Sequence, residues 1–283
     1  MCFNAPVAPA VNYYYEICIK LKFLFHTGLT LNFNFRKNMR TRLFPKSGRG
    51  TANHGWLQAN FSFSFGNFHN PEMVQFGMLR VLNDDTIGAG MGFGNHPHDN
   101  MEIITIPLEG GLTHRDSMGN QETVRLGEIQ VMSAGTGIQH SEMNASQTEQ
   151  AKTLQLWIFP DKQNVTPRYS QKGFDLEANR NKLVNIVSPE DKNNGSALWI
   201  HQQAFLHLGV FDAGQSIQYD LKIPENGIYL FLIEGELEIN GEAVNERDAF
   251  GAVEFETLTI QTKAPSKILV IEVPMKFSES YGN

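Results

Sequence analysis

Along most of this chain apolar and polar residues alternate with a period of two. Up to residue 160 the runs FSFSF, FGMLRVL, MEIITIPL, EIQVM and TLQLWIF are short and rich in β-branched and aromatic side chains, and NDD, EGG, SMGN and SAGTG punctuate them. Such runs predict half-buried strands joined by tight turns. After a polar, Pro-containing stretch, DKQNVTPRYSQKGF, the pattern resumes with LVNIV, ALWI, FLHLGVF, IYLFLIEGELEI, LTIQT and KILVIEV. Helical periodicity is nearly absent. Short strands at even spacing on both sides of one connector predict an all-β chain of two sandwich or barrel domains.

A faint internal repeat supports that division. Leu108-Glu109-Gly110-Gly111-Leu112 matches Ile233-Glu234-Gly235-Glu236-Leu237, each a strand leading into a hairpin whose turn contains Gly119-Asn120 or Asn240-Gly241. Residues 17–25 (ICIKLKFLF) and 29–35 (LTLNFNF) also alternate, across His26-Thr27-Gly28. They suit a β-hairpin if docked; undocked, they are an aggregation hazard. The competing reading makes residues 1–38 a disordered extension, or sequence upstream of a true start at Met39.

Composition narrows the class. At 283 residues and 41% apolar content the chain is long enough for two packed cores. Its 23 basic and 30 acidic residues leave a net charge of −7, which argues against direct nucleic-acid binding. One acid-free basic stretch, Arg36, Lys37, Arg40, Arg42, Lys46 and Arg49, reads as a solvated surface segment. Cys2 and Cys18 both precede Met39, so the body offers no disulfide, thiolate ligand or thiol nucleophile. The chain lacks both a membrane-length apolar run and the marks of a signal peptide, so the expectation is a cytoplasmic protein without a membrane partner.

Two histidine clusters carry the chemistry: His96-Pro97-His98 in GMGFGNHPHDNMEIITIPLEG and His140-Ser141-Glu142 in MSAGTGIQHSEMN. Successive strand side chains alternate faces, so each cluster aims two ligands one way, and two neighbouring strands could supply four. The surroundings approximate the two-part cupin pattern. Gly90 precedes His96, Glu102 follows His98, and Gly127 leads through EIQVM and Ser133-Ala134-Gly135 to His140 and Asn144. Ser133 replaces the usual Pro, and two extra residues precede His140.

The stretches ANHGWL, FGMLRVLNDD, GFGNHPHDNMEIIT, THRDSMGN, MSAGTGIQHSEMN and LQLWIFPD resemble the pirin family, closely its bacterial quercetinase-type branch. The likeness covers about residues 40 to 283, and its beginning just after Met39 favours the second reading of residues 1–38. It implies a bicupin of two double-stranded β-helix barrels: a metal-binding domain at 39–160, a connector at 161–175 and a C-terminal domain at 176–283 without metal ligands. It further implies one Fe(II) held by His96, His98, His140 and Glu142, although zinc, manganese, nickel or copper also suits such donors. By parity Glu102 is also an even step from His98, which leaves the carboxylate ligand open. Glu142 ranks first, with Glu102 as an inward carboxylate orienting a ligating imidazole. His201 and His207 read as packing or pocket residues; His54, His69 and His114 read as structural or surface residues.

Four protein ligands leave two positions open on a six-coordinate metal, as an oxygenase needs. The resemblance implies cleavage of a flavonol such as quercetin by dioxygen with release of carbon monoxide. Glu142 would take the hydroxyl proton, and aromatic wall residues including Phe93 would favour a flat substrate. Two other functions share the scaffold: a metal-containing regulator that binds a protein partner without turnover, and a metal-dependent isomerase of sugars or small acids.

Overall fold

A strand with apolar residues on both faces needs a cover on each side. The computed structural model describes residues 39–277, and in it such covers come from paired sheets. The first half contributes β1 (Arg40–Phe44), β2 (Gly50–Asn53), β3 (Leu57–Phe61), β4 (Leu79–Ile87), β5 (Gly92–His98), β6 (Glu102–Glu109), β7 (Gly111–Asp116), β8 (Gln121–Arg125), β9 (Glu128–Ser133), β10 (Ile138–Asn144), β11 (Ala151–Ile158) and β12 (Arg168–Gly173). The second contributes β13 (Val184–Pro189), β14 (Leu198–Ile200), β15 (Phe205–Phe211), β16 (Ser216–Asp220), β17 (Asn226–Glu234), β18 (Glu236–Ile239), β19 (Glu242–Asn245), β20 (Ala249–Val253), β21 (Thr257–Thr262) and β22 (Ser266–Pro274). The expectations for residues 1–38 lie outside the described residues.

A seven-stranded sheet, β12-β9-β6-β11-β4-β3-β2, closes with a four-stranded one, β5-β10-β7-β8, into an N-terminal barrel. The sheets β1-β20-β17-β22-β15-β13-β14 and β16-β21-β18-β19 form the second barrel in the same way. The fold is a bicupin. The repeated EG turns occupy matching places, β6 to β7 and β17 to β18, with Gly110 at φ 68° and Gly235 at φ 99°. At Gly235 a Cβ would come within 2.4 Å of the Pro265 carbonyl oxygen, so the turn needs glycine.

The largest apolar core lies between the barrels. Ile104, Ile106, Val131, Leu154 and Leu156 of the first large sheet cluster with Leu206, Leu208, Phe231, Leu269 and Ile271 of the second. At roughly 1.5–3 kcal/mol for each fully buried aliphatic side chain, this shared core makes the barrels one folding unit. Inside, they differ. The C-terminal barrel is filled by one apolar cluster that includes Leu230, Leu232, Phe250 and Val270. The N-terminal barrel has two smaller clusters, around Leu57, Ile87 and Leu112 and around Ile103, Met132 and Ile138. It also buries Asn83, Asp85, Thr105, His114, Gln130, His140 and Glu142.

Several sequence expectations shift. The domain assigned to 39–160 gives up its first strand: β1 pairs with β20 of the other barrel, from Arg40↔Val253 to Phe44↔Ala249. The connector at 161–175 contains β12, which pairs with β9 of the N-terminal barrel. Each of these pairings covers a strand edge whose backbone groups would otherwise lack partners. NDD is not a turn but lies within β4. FSFSF is not a strand beyond Phe61, because its phenylalanines divide between cores, Phe63 joining the inter-barrel cluster and Phe61 the barrel interior.

The basic stretch also departs from its reading as solvated surface. Arg40 is exposed and pairs with Glu254, whereas the Arg49 side chain is only 6% exposed. Arg49 donates to Asp84 Oδ2 at 3.2 Å and to the Asn60 carbonyl at 3.0 Å, and Arg247 reaches Asp84 Oδ1 at 3.1 Å. No helix of the described residues is long and apolar enough to cross a membrane.

Candidate metal centre

The two histidine clusters lie on adjacent antiparallel strands, β5 and β10, in register at His140↔His96. β5 is the edge of its sheet, which is why Pro97, lacking an N–H, is tolerated within it. Gly92 brings the strands close: a Cβ there would lie 2.2 Å from the Glu142 carbonyl oxygen. A bulge between His140 and Glu142 absorbs the mismatch while both side chains stay buried.

Three imidazoles converge. Ring centroids of His96 and His140 are 4.4 Å apart, and His98 lies 4.9 Å from each of the others. One ligand atom from each falls within 4.8 Å of the rest. Burial, then the neighbouring His96, lowers His98 to about 4. Burial lowers His140 to about 2, with His96, His98 and His114 adding to the effect. Both rings are therefore neutral at pH 7 and offer lone pairs. His140 Nε2 is buried without a hydrogen-bond partner, which suits a ligand atom facing an ion.

Glu142 falls in a second group with His114 and His140, again with ligand atoms within 4.8 Å, and not in the group containing His96 and His98. Its two oxygens accept from Thr105 Oγ1 at 3.2 Å and Gln155 Nε2 at 2.6 Å. Asp85, on β4, is pushed up to about 7 by burial, with the charges of Asp84 and Glu142 contributing. Near neutral pH this spares the interior part of a further negative charge.

His114, expected to be structural or surface, lies against the candidate centre. Fully buried on β7, it lies with Nδ1 3.4 Å from His140 Nδ1 and Nε2 2.9 Å from Asp116 Oδ2. Tyr169, from the strand inside the expected connector, stacks on its ring at 4.6 Å. The signal was present in THRD: His114-Arg115-Asp116 has the same two-residue spacing as the other pairs.

Glu102, expected to face inward toward the histidines, belongs to neither group of converging ligand atoms among the described residues. On β6, Ile104 and Ile106 join the inter-barrel core while Thr105 reaches Glu142, so the parity of Glu102 turns it away from the histidines. Ser133 donates to it at 2.7 Å, and burial raises its carboxyl to about 7. Parity from His98 fails because the chain passes between sheets around Asn100, at φ 42°. Phe93 packs edge-on against Trp56, and the large aromatic beside His98 is Trp157, at 4.8 Å. His54 and His69 are exposed, as expected. His201 is nearly buried beside Glu190, and His207 lies in the other barrel.

Residues 42–158 match the family model for pirin, and residues 185–273 match that for the quercetinase C-terminal cupin domain. The chain is 41% identical over 226 residues to a quercetin 2,3-dioxygenase of Escherichia coli (strain K12), covering 80% of this chain and 95% of that protein. The chain belongs to the pirin family. A second pirin relative, a putative quercetin 2,3-dioxygenase of Pseudomonas aeruginosa, is 42% identical over 231 residues, 81% of this chain and 97% of that one. The crystal structure of the bacterial pirin YhhW of Escherichia coli in complex with nickel(II) superposes with a TM-score of 0.78 at 37% identity, covering 83% of this chain and 99% of that one. In the present pirin both groups of converging ligand atoms found among the described residues lie in the N-terminal barrel, where they fit one divalent ion.

Proposed function

We propose that this pirin cleaves a flavonol of the quercetin type with dioxygen and releases carbon monoxide, using one Fe(II) held by His96, His98, His140 and Glu142. The observation carrying this reading is the buried, unpartnered His140 Nε2 beside two partly exposed histidines. Relatives named quercetin 2,3-dioxygenase support the substrate class, and a nickel-bound relative supports a divalent ion at such a site. When bound, the ion supplies Lewis acidity toward a substrate hydroxyl and redox chemistry toward dioxygen.

The protein's own groups do the rest. His96 and His98, on the open edge strand, border the entrance, while His140 and Glu142 are buried beneath. Trp157 offers a flat apolar surface beside His98 for an aromatic ring. Glu142 accepts the 3-hydroxyl proton, and Thr105 and Gln155 hold its carboxylate in place by hydrogen bonds. Oxygen uptake and carbon monoxide release by Fe(II)-loaded protein with quercetin test the reading. A flavone lacking the 3-hydroxyl should be inert. If no flavonol drives oxygen uptake, or the 3-deoxy compound reacts equally well, the proposal fails.

A further inference from the structure

We propose that the C-terminal barrel carries a separate binding site for a small hydroxylated aromatic carboxylate, at a cavity lined by Lys182, His207, Tyr219 and Lys222. The cavity measures about 400 Å³ and is also lined by Leu183 and Phe211. It uses no residue of the metal centre and does not depend on the dioxygenase reading.

A buried hydrogen-bond chain defines what the cavity presents. Glu272 is fully buried and accepts from Tyr219 Oη at 2.8 Å, from the Lys222 and Ile223 backbone N–H groups at 2.9 Å each, and from Asn226 Nδ2 at 3.1 Å. With its proton committed to Glu272, the Tyr219 hydroxyl accepts from His207 Nδ1–H, 3.4 Å away. The other ring nitrogen, Nε2, then carries a lone pair and has no hydrogen-bond partner among the described residues. Burial, with Lys222 nearby, lowers His207 to about 4, so the ring is a neutral acceptor at pH 7.

The cations set the complementary charge. Neither Lys182 nor Lys222 forms an ion pair among the described residues, and Lys222 Nζ lies 5.2 Å from the centre of the Tyr219 ring. The nearby Asp212 is held by Arg180 and Asn181, and Glu272 is satisfied within the barrel. Two unpaired ammonium groups, one neutral acceptor and an apolar side formed by Leu183 and Phe211 match an anion that has a hydroxyl donor and a flat apolar body. The volume admits a single ring with room to spare.

Titration calorimetry of the full chain with 4-hydroxybenzoate, after chelation of metal, tests the site. Expected are saturable binding of one molecule per chain and a loss of affinity of about tenfold or more in Lys182→Met/Lys222→Met, whose exposed positions make misfolding a minor concern. 4-Methoxybenzoate, with no proton to give His207, should bind several-fold more weakly, and His140→Ala should bind the hydroxy acid unchanged. Absence of saturable heat up to about 10 mM, equal affinity in the lysine double variant, equal binding of the methoxy acid, or loss of binding in His140→Ala would each overturn the proposal.

Discussion

His140 and His114 face each other Nδ1 to Nδ1 at 3.4 Å, and the far nitrogen of His114 lies 2.9 Å from Asp116. Burial opposes ionisation of Asp116, but donors from Asn120 and His114 outweigh it and hold the carboxyl below its usual range. An ionised Asp116 accepts from His114 Nε2–H, which leaves His114 Nδ1 as an acceptor for His140 Nδ1–H. The hydrogen-bond network thereby assigns the His140 tautomer with its Nε2 lone pair directed away from His114, available to an ion.

Breaking that chain should weaken the metal without unfolding the barrel. His114→Gln and Asp116→Asn are each expected to lower metal affinity by about 10 to 100-fold, the range typical of groups that orient a ligating imidazole. Competition with a calibrated chelator measures it. Unchanged affinity in both variants would remove the chain from the site.

Metal should load at one ion per chain. Replacement of His96, His98 or His140 by Ala removes a proposed ligand and should strip or greatly weaken binding, while His207→Ala, in the other barrel, should retain it. Elemental analysis near two ions per chain, or full occupancy in His140→Ala, would contradict the assignment.

The two carboxylates should part ways. Glu142→Gln is expected to abolish flavonol turnover, whereas Glu102→Gln should leave metal content intact and act on stability. Glu102 is raised to about 7 in the folded chain against an ordinary value of 4.5. Between those values the native state binds more protons than the unfolded state, so this group makes stability fall as pH rises. Glu102→Gln removes that loss. Its advantage over the parent should grow from pH 4.5 to 7, reaching about 3 kcal/mol at most, in urea titrations across that window. A pH-independent difference would count against the buried acid.

Asp84 ties the barrels through Arg49 and Arg247, with its side chain 14% exposed. Asp84→Ala leaves two guanidinium groups without their shared anion and should cost about 3 kcal/mol. Equilibrium unfolding reads this directly, and a loss below about 1 kcal/mol would assign the cluster the weight of a surface pair.

What the sequence determined by itself was local. Period-two alternation found most of the strands, and spacing within a strand aimed His96 with His98 and His140 with Glu142, because side-chain direction there depends on a few consecutive residues. That relation ends where a strand ends. Glu102 kept its even count from His98 yet faces the inter-barrel core, since the chain changes sheet around Asn100. His114 carried the right local spacing, but only the pairing of β7 with β10 set it against His140. The crossing of β1 to the other barrel, the pairing of β12 with β9, and the burial of Arg49 likewise required tertiary structure. Sheet edges and buried charges find their partners across the fold, over separations such as the 163 residues between Asp84 and Arg247, and no local pattern records them.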